Sequence, residues 1–550
     1  MASVFFAFFI FCFLGFLGLC MELGKVRFET LGCRLNQIES EATAKYFIDE
    51  GFQVLGSGVT SASDEDYSTY LVIINTCTVT QKAEQKARRL IRLCLKKYPA
   101  AVILVTGCYA QLAREAICSI GDRVAVVGGQ IKSRIVDVPG LLKEVLENHC
   151  DTEGGRDFAT RGESFVTEGG QGFQGWNPVK FVSIINEKIV KVPQNKAAFP
   201  ENSFKLATSS FIAHSRASLK IQDGCNNNCS YCAIHMARGH SVSIDVQTAI
   251  DRVVDLEKSG HDEVVLTTVN IGQYRGAYNG RLLNFSQLLV KLLENTSTIN
   301  FRISSLYPEI VDDEFCAAIS DKRVRPHFHL SVQSGSDKIL ASMNRNYVAA
   351  DVVRACDLIR TVKPDAFIAC DIITGFPGEE DCDFEDTMSL CRRCDFAWVH
   401  GFPYSERPGT EAAVMKHKVP QSVSGERCRE LIAWAKSNKI KYIEGFEGRV
   451  VPAIIETIRR PAVLAGGVMS GAGVTAGGVN GGVVSGAAGG VNGTGGQVIY
   501  HAVTENFLHC EIHTSEKLEA GKTVMVEILK PLKERIEKGG EIEALAGLVL

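Results

Sequence analysis

Net charge is what this sequence has least of: 59 Lys and Arg stand against 63 Asp and Glu, a formal −4 at pH 7 over 550 residues. That balance excludes bulk electrostatic attraction to nucleic acid, so any such contact has to come from local patches. No small, loop-rich stretch crowded with cysteine occurs either. The 19 cysteines are odd in number and scattered through long strand-like and helix-like patterns. A secreted disulfide framework is thereby excluded, and a reducing, cytoplasmic setting with some thiolates binding metal is expected. The first 20 residues, MASVFFAFFIFCFLGFLGLC, contain no Lys or Arg. They are long enough to span a bilayer, yet they lack the basic start of a signal peptide, and no clear small-residue cleavage site follows. Met21 then opens MELGKVRFETLGC, which runs straight into a core-like strand. Translation from Met21 is expected, with a membrane anchor over residues 1–20 as the alternative.

What is present is organised in three blocks, as expected for a chain too long for one core. Residues 25–148 alternate strand-like runs (KVRFETLG, YLVIINT, AVILVTG, RVAVVGG) with helix-like ones, the pattern of a small doubly wound α/β domain with a parallel sheet. Residues 151–210 are Gly-rich and polar and read as a linker, with a possible hairpin at KFVSIINEKIVKV. The next block, 211–435, carries six strand-like runs (SLKIQ, EVVLTTV, NFRISS, HFHLSVQ, FIACDIIT, FAWVHGF) separated by helical patterns, which predicts a partial (β/α)6 barrel with its chemistry at the C-terminal strand ends. Residues 436–550 form a β-rich end module interrupted by a Gly-rich low-complexity insertion, 464–496. With few large side chains to pack and no helix pattern after it, the insertion reads as a flexible surface loop rather than a phosphate cradle.

Two sets of cysteines stand out. Cys33, Cys77 and Cys108 each end one of the first three major strands of block one. In a parallel sheet those ends share one edge, where ligands sit and helix N-termini favour anions. Small buried hydrophobes would explain any one of them; three equivalent positions point to a shared site. The second set is the loop DGCNNNCSYC, which puts Cys225, Cys229 and Cys232 within eight positions after the first barrel strand. Three thiolates fill three irons of a 4Fe-4S cluster and leave the fourth open for a chelating molecule, beside which Tyr231 could place its ring. A zinc site is the alternative and needs a fourth ligand, such as His235. The pair Cys391 and Cys394 falls in a helix-like stretch and reads as ordinary free cysteines.

The motifs TLGCRLNQIESE, INTCTVT, VTGCYAQ, IQDGCNNNCSYC, HLSVQSGSDKILASMNRNY, GFPGEE and FPYSERPGT follow one another in an order that resembles the methylthiotransferases of the radical S-adenosylmethionine (radical SAM) superfamily from about Lys25 to the C-terminus. INTCTVT and GCYAQ are most similar to the MtaB branch. The resemblance implies two 4Fe-4S clusters, one on Cys225, Cys229 and Cys232 with S-adenosylmethionine on its open iron, and an auxiliary one on Cys33, Cys77 and Cys108. It implies cleavage of S-adenosylmethionine to a 5′-deoxyadenosyl radical, a second S-adenosylmethionine as methyl donor, and methylthiolation of carbon two of the adenine in N6-threonylcarbamoyladenosine beside the tRNA anticodon. The alternatives are the same chemistry on isopentenyladenosine or on a ribosomal-protein aspartate, or a non-catalytic iron-sulfur RNA-binding protein. Asn270, Gly272, Gly375 and Glu379 are expected to line the cofactor pocket or, equally, to form tight strand-end turns. Departures from the family pattern are Asn228 before the second cysteine, and His235 and Met236 before the retained Arg238 and Gly239. The end module resembles a TRAM domain, a small tRNA-binding β-barrel, with VTENFLHCEI as its most recognisable strand. Implied partners are tRNA, an electron donor and a sulfur source, with no membrane unless residues 1–20 are real. A cationic helix patch of Lys82, Lys86, Arg88, Arg89, Arg92, Lys96 and Lys97 is a candidate RNA contact, or else a solvated face.

Overall fold

A computed structural model describes residues 24–150, 176–190, 202–206, 216–456, 463–464, 491–492 and 498–549. The apolar stretch 1–20, most of 151–210 and nearly all of the insertion 464–496 lie outside the described residues.

The first block contains β1 (Lys25–Thr30), α1 (Arg34–Asp49), β2 (Gln53–Leu55), β3 (Thr69–Thr76), α2 (Gln81–Lys97), β4 (Val102–Gly107), α3 (Cys108–Leu112), β5 (Val124–Val126) and α4 (Val138–Cys150). Its five strands are all parallel in the order β2-β1-β3-β4-β5. Every residue of β3 and β4 is buried, as a sheet covered on both faces requires. The strand order reverses between β1 and β3, and a crevice opens beyond the strand C-termini at such a point. Val463–Leu464 adds a short antiparallel strand beside β2.

The expected hairpin at KFVSIINEKIVKV is instead helical. Residues Pro178–Ile185 form α5, which continues as a π-helical turn over Asn186–Val190. Phe181, Val182, Ile185 and Ile189 recur at helical spacing and are buried in the core of the first domain with Leu104 and Leu142. Asn177 caps the helix by accepting from the Lys180 N–H at 3.0 Å, and Pro178 occupies a first-turn position that needs no N–H partner. Packing of one apolar stripe has overridden the β propensity of the Val and Ile residues.

The second block is a partial barrel of six parallel strands, β6 (Ala217–Lys220), β7 (Glu263–Thr267), β8 (Asn300–Ile303), β9 (His327–Gln333), β10 (Phe367–Thr374) and β11 (Trp398–Pro403). They form two three-stranded ladders joined by bridges Phe301–Val324 and Leu306–Leu330. Leu219, Val264, Leu266, Phe301, Ile303, Phe328, Leu330, Ile368 and Cys370 pack outward in the main core. The alternating positions, among them Ser218, Lys220, Glu263, Arg302, His329, Asp371 and His400, belong to the inner face. Between β6 and β7 lies the short helix α6 (Ile234–Arg238), and α7 (Gln421–Glu444) leads out of the block.

The end module is a closed five-stranded barrel of β12 (Val450–Ile455), β13 (Val498–Thr504), β14 (His509–Thr514), β15 (Thr523–Pro531) and β16 (Ala544–Val549), in the cyclic order β12-β15-β16-β14-β13. Closure leaves these strands no open edge, and the form is that expected of a TRAM-like domain. The turn before β14 docks it beneath the partial barrel. Phe507 stacks on His327 with ring centroids 4.1 Å apart, and Arg302 donates to the carbonyls of Thr504 (3.2 Å) and Glu505 (3.1 Å).

Candidate active site

The loop after β6 is tied down along its length. The Cys225 N–H donates to Gly239 O (3.0 Å), Cys232 N–H to Cys229 O (3.0 Å) and Ser230 N–H to Met343 O (3.1 Å), while the Asn344 side chain donates to Asn228 O (2.7 Å). Each sulfur faces a donor: Arg345 Nη1 lies 3.2 Å from Cys229 Sγ, Asn270 Nδ2 3.8 Å from Cys225 Sγ and Ile234 N 3.4 Å from Cys232 Sγ, and the Asn227 N–H also serves Cys225. Burial, and then the neighbouring cysteines, push the Cys232 thiol up to about 12, and burial also raises Cys225. As bare thiols they stay protonated at neutral pH; iron displaces those protons on binding. Hydrogen bonds aimed at the sulfurs are what an iron-sulfur site carries, so the donor set fits a cluster.

It does not fit zinc. Thiolates on one tetrahedral zinc ion stand within about 4 Å of one another, given a bond of about 2.3 Å. The single group of three among the described residues with all ligand atoms within 4.8 Å is Glu380, Cys382 and Asp383. Two of these are exposed, and the Lys338 ammonium already pairs with both carboxylates. No three of Cys225, Cys229, Cys232 and His235 meet that spacing.

The remaining expected residues divide. Tyr231 packs edge-on against Phe376, with centroids 6.4 Å apart, and its hydroxyl shares surroundings with Arg345 and the Cys229 and Cys232 thiols. Asn270 joins the cluster loop directly, and its carbonyl oxygen accepts from Gly272 N–H at 3.1 Å. Gly375 and Glu379 form a turn: the Gly375 N–H donates to Glu379 Oε1 (2.8 Å), and Arg427 Nη1 donates to the same oxygen (2.6 Å). Asn228 is exposed and donates to Glu411 Oε1 at 3.4 Å. Cys391 and Cys394 are buried in the barrel core.

Cys33, Cys77 and Cys108 lie beyond β1, β3 and β4, around the β1/β3 reversal. Burial, then Cys33 and Cys108, push the Cys77 thiol up to about 12; burial raises Cys108, with Arg238 and Lys132 opposing. The three thiols thus lie close enough to act on one another, with Cys33 exposed and Cys77 and Cys108 buried. The glycines before Cys33 and Cys108 let the strand ends come close to one another. Gly32 (φ +106°) would bring a Cβ within 2.5 Å of Cys77 Cβ, and Gly107 (φ +95°) would bring one within 2.3 Å of Thr76 O.

The two sites meet across α6. The helix begun by Cys108 packs against α6, and Gln130 Nε2 donates to Met236 O at 3.2 Å. At its end Arg238 enters a buried network: it donates to Asp223 (2.8 Å), Glu39 (3.3 Å) and Asn36 Oδ1 (2.9 Å), while Lys220 donates to Glu39 and Asp223 (both 3.0 Å) and Lys132 to Glu39. Burial alone would raise both carboxyls. Lys132, Lys220 and Arg238 instead hold Glu39 well below the usual range, and Lys220 and Arg238 hold Asp223 at about 2. On the far side Arg407 donates to Thr78 O (3.1 Å) and Glu84, fastening the loop after Cys77. Arg345, Asn36, Glu39, Lys132, Lys220, Asp223 and Arg407 were not singled out from the sequence. The available signal was a charge on a core-facing position, as at Lys220 within SLKIQ and Glu39 beside Ile38 on α1.

Residues 219–391 match the Radical SAM superfamily, and residues 25–129 match Uncharacterized protein family UPF0004. A Treponema pallidum protein described as "Threonylcarbamoyladenosine tRNA methylthiotransferase MtaB" is 40% identical over 82% of this chain and 96% of its own length. An Aquifex aeolicus protein of the same description is 32% identical over 78% and 92%. The chain belongs to the MtaB-like methylthiotransferases of the radical SAM superfamily. A protein of Erythrobacter litoralis described as "tRNA-2-methylthio-N(6)-dimethylallyladenosine synthase" is 30% identical over 78% and 86%. Among solved structures, the radical S-adenosylmethionine methyltransferase TsrM from Kitasatospora setae aligns over 71% of this chain and 77% of its own at 14% identity and a TM-score of 0.44, too distant to carry an argument. Membership makes the chain an enzyme, with a 4Fe-4S cluster and S-adenosylmethionine as its cofactors. No helix of the described residues is long and apolar enough to cross a membrane.

Proposed function

We propose that the chain methylthiolates carbon two of the adenine in N6-threonylcarbamoyladenosine beside the anticodon of cytoplasmic tRNA. The observation that carries this reading is the meeting of two cysteine triads across α6, one at the mouth of the partial barrel and one at the sheet reversal of the first domain. Cys225, Cys229 and Cys232 would hold the cluster that binds S-adenosylmethionine, and Cys33, Cys77 and Cys108 the auxiliary one. When bound, the first group supplies one-electron cleavage of S-adenosylmethionine for hydrogen removal from an unactivated carbon, and the second takes part in sulfur transfer. Arg345, Asn270 and the Ile234 N–H hold the first set of sulfurs in place. Arg238 and Lys132 offset negative charge at the second. Four relatives described as acting on threonylcarbamoyladenosine tRNA support the substrate. The TRAM-like barrel and the α2 face, where Lys82, Lys86, Arg89, Arg92 and Lys96 are exposed, are the expected tRNA contacts. Electrons and sulfur come from partners outside the chain. Nucleoside analysis of tRNA from a deletion strain tests the reading: the 2-methylthio derivative of threonylcarbamoyladenosine disappears. Its persistence, with loss of the isopentenyl counterpart, would transfer the same chemistry to the other base.

A further inference from the structure

The inner face of the partial barrel contains one arginine unlike the others. Arg34 follows Cys33 and opens α1 in the first domain, yet its guanidinium reaches across to the barrel, where Nη1 donates to Ser218 Oγ on β6 at 3.0 Å. Its side chain is half-buried between the first domain and the barrel. Its neighbours are spoken for. Glu263 is engaged by Arg302 (2.8 Å) and Arg325 (3.0 Å), and Glu456 by Arg216 (3.1 Å). Among the described residues Arg34 has no carboxylate partner: Arg325 also pairs with Glu505 (3.5 Å), so the three carboxylates of this layer, Glu263, Glu456 and Glu505, are all engaged by Arg216, Arg302 and Arg325. A half-buried guanidinium without a carboxylate partner is open to a ligand that completes it, and its planar fork fits a carboxylate.

We propose that Arg34 binds the carboxylate of the substrate's threonyl group, so that this residue separates threonylcarbamoyladenosine from an adenosine bearing an uncharged N6 substituent. The inference rests on the substrate reading above. Adjacency to Cys33 keeps the anchor near the auxiliary site while the carboxylate, borne on N6, is remote from carbon two. Ser218 acts through Arg34 as a positioning residue.

The test uses reconstituted full-length enzyme and three anticodon stem-loop RNAs, carrying threonylcarbamoyladenosine, its methyl ester, or isopentenyladenosine. Wild type is expected to show a KM and an equilibrium Kd roughly 10- to 100-fold lower for the free acid than for the ester, the range for a hydrogen bond to a charged group. Arg34→Gln removes that preference by weakening the acid while leaving the ester unchanged; Arg34→Lys restores part of it. Iron content and S-adenosylmethionine cleavage without RNA stay at wild-type levels. Equal use of acid and ester by wild type, a comparison that needs no variant, overturns the inference while leaving the substrate reading intact. An Arg34→Gln effect equal on acid and ester also overturns it. Failure of wild type to thiolate the acid RNA, with turnover of the isopentenyl RNA, overturns both.

Discussion

The two cysteine sites are built in opposite ways. Cys225, Cys229 and Cys232 sit on one loop, held by neighbours in sequence and by donors from three other segments. Cys33, Cys77 and Cys108 come from three strands of one sheet, and two glycine turns and an interdomain ion network shape their surroundings. A local loop can present ligands once a single strand end is in place. A site spread over a sheet exists only when the whole domain is folded and docked, so its integrity depends on residues far from any sulfur.

The sharpest break in this comparison is chemical. Cys225→Ala is expected to abolish both S-adenosylmethionine cleavage and methylthiolation, whereas Cys77→Ala keeps cleavage and loses thiolation completely, as read by 5′-deoxyadenosine and nucleoside analysis. Next in size is the network between the sites. Arg238→Met leaves Glu39 to Lys132 and Lys220 and Asp223 to Lys220, and should cost about 1.5–3 kcal/mol in urea unfolding of the full chain and lower iron at the auxiliary site before the barrel site.

Acid acts on the same network, and its direction follows from the carboxyls. The folded Asp223 pKa of about 2 and the lowered Glu39 value lie below their unfolded counterparts. Their contribution is therefore present above about pH 4 and lost as pH falls through the folded values. Between pH 5 and pH 2 the stability advantage of wild type over Asp223→Asn should shrink by roughly 2 kcal/mol, measured as the urea midpoint at each pH. The smallest effect belongs to the α2 face: Lys86→Glu with Arg89→Glu should weaken tRNA binding and lower its salt slope by about 2, while S-adenosylmethionine cleavage without RNA is unchanged.

This contrast also explains what could be read in the sequence. The loop cysteines declare themselves by spacing, and the six barrel strands by apolar runs bounded by turns. The strand-end cysteines were legible because parallel strands share a C-terminal edge, which needs only the β/α alternation. The helix at Pro178–Ile185 was misread because Val and Ile favour strands locally, while the core that claims Phe181 and Ile185 is formed by segments more than thirty residues earlier. Glu39, Lys132, Lys220 and Asp223 left little trace because a charge on a helix or strand looks solvent-facing until another domain covers it. Arg34 was hidden for the same reason, since its partner Ser218 lies 184 residues away.

Phe507, seated on His327 with Arg216 and Arg302 against its ring, gives the end module a second duty. It covers the N-terminal end of the barrel strands, opposite the end that carries the Cys225–Cys232 loop. Removing the module would then expose that end of the barrel to water and stray hydrogen donors, and uncoupled consumption of S-adenosylmethionine would rise even with short RNA substrates that never touch the module's outer surface.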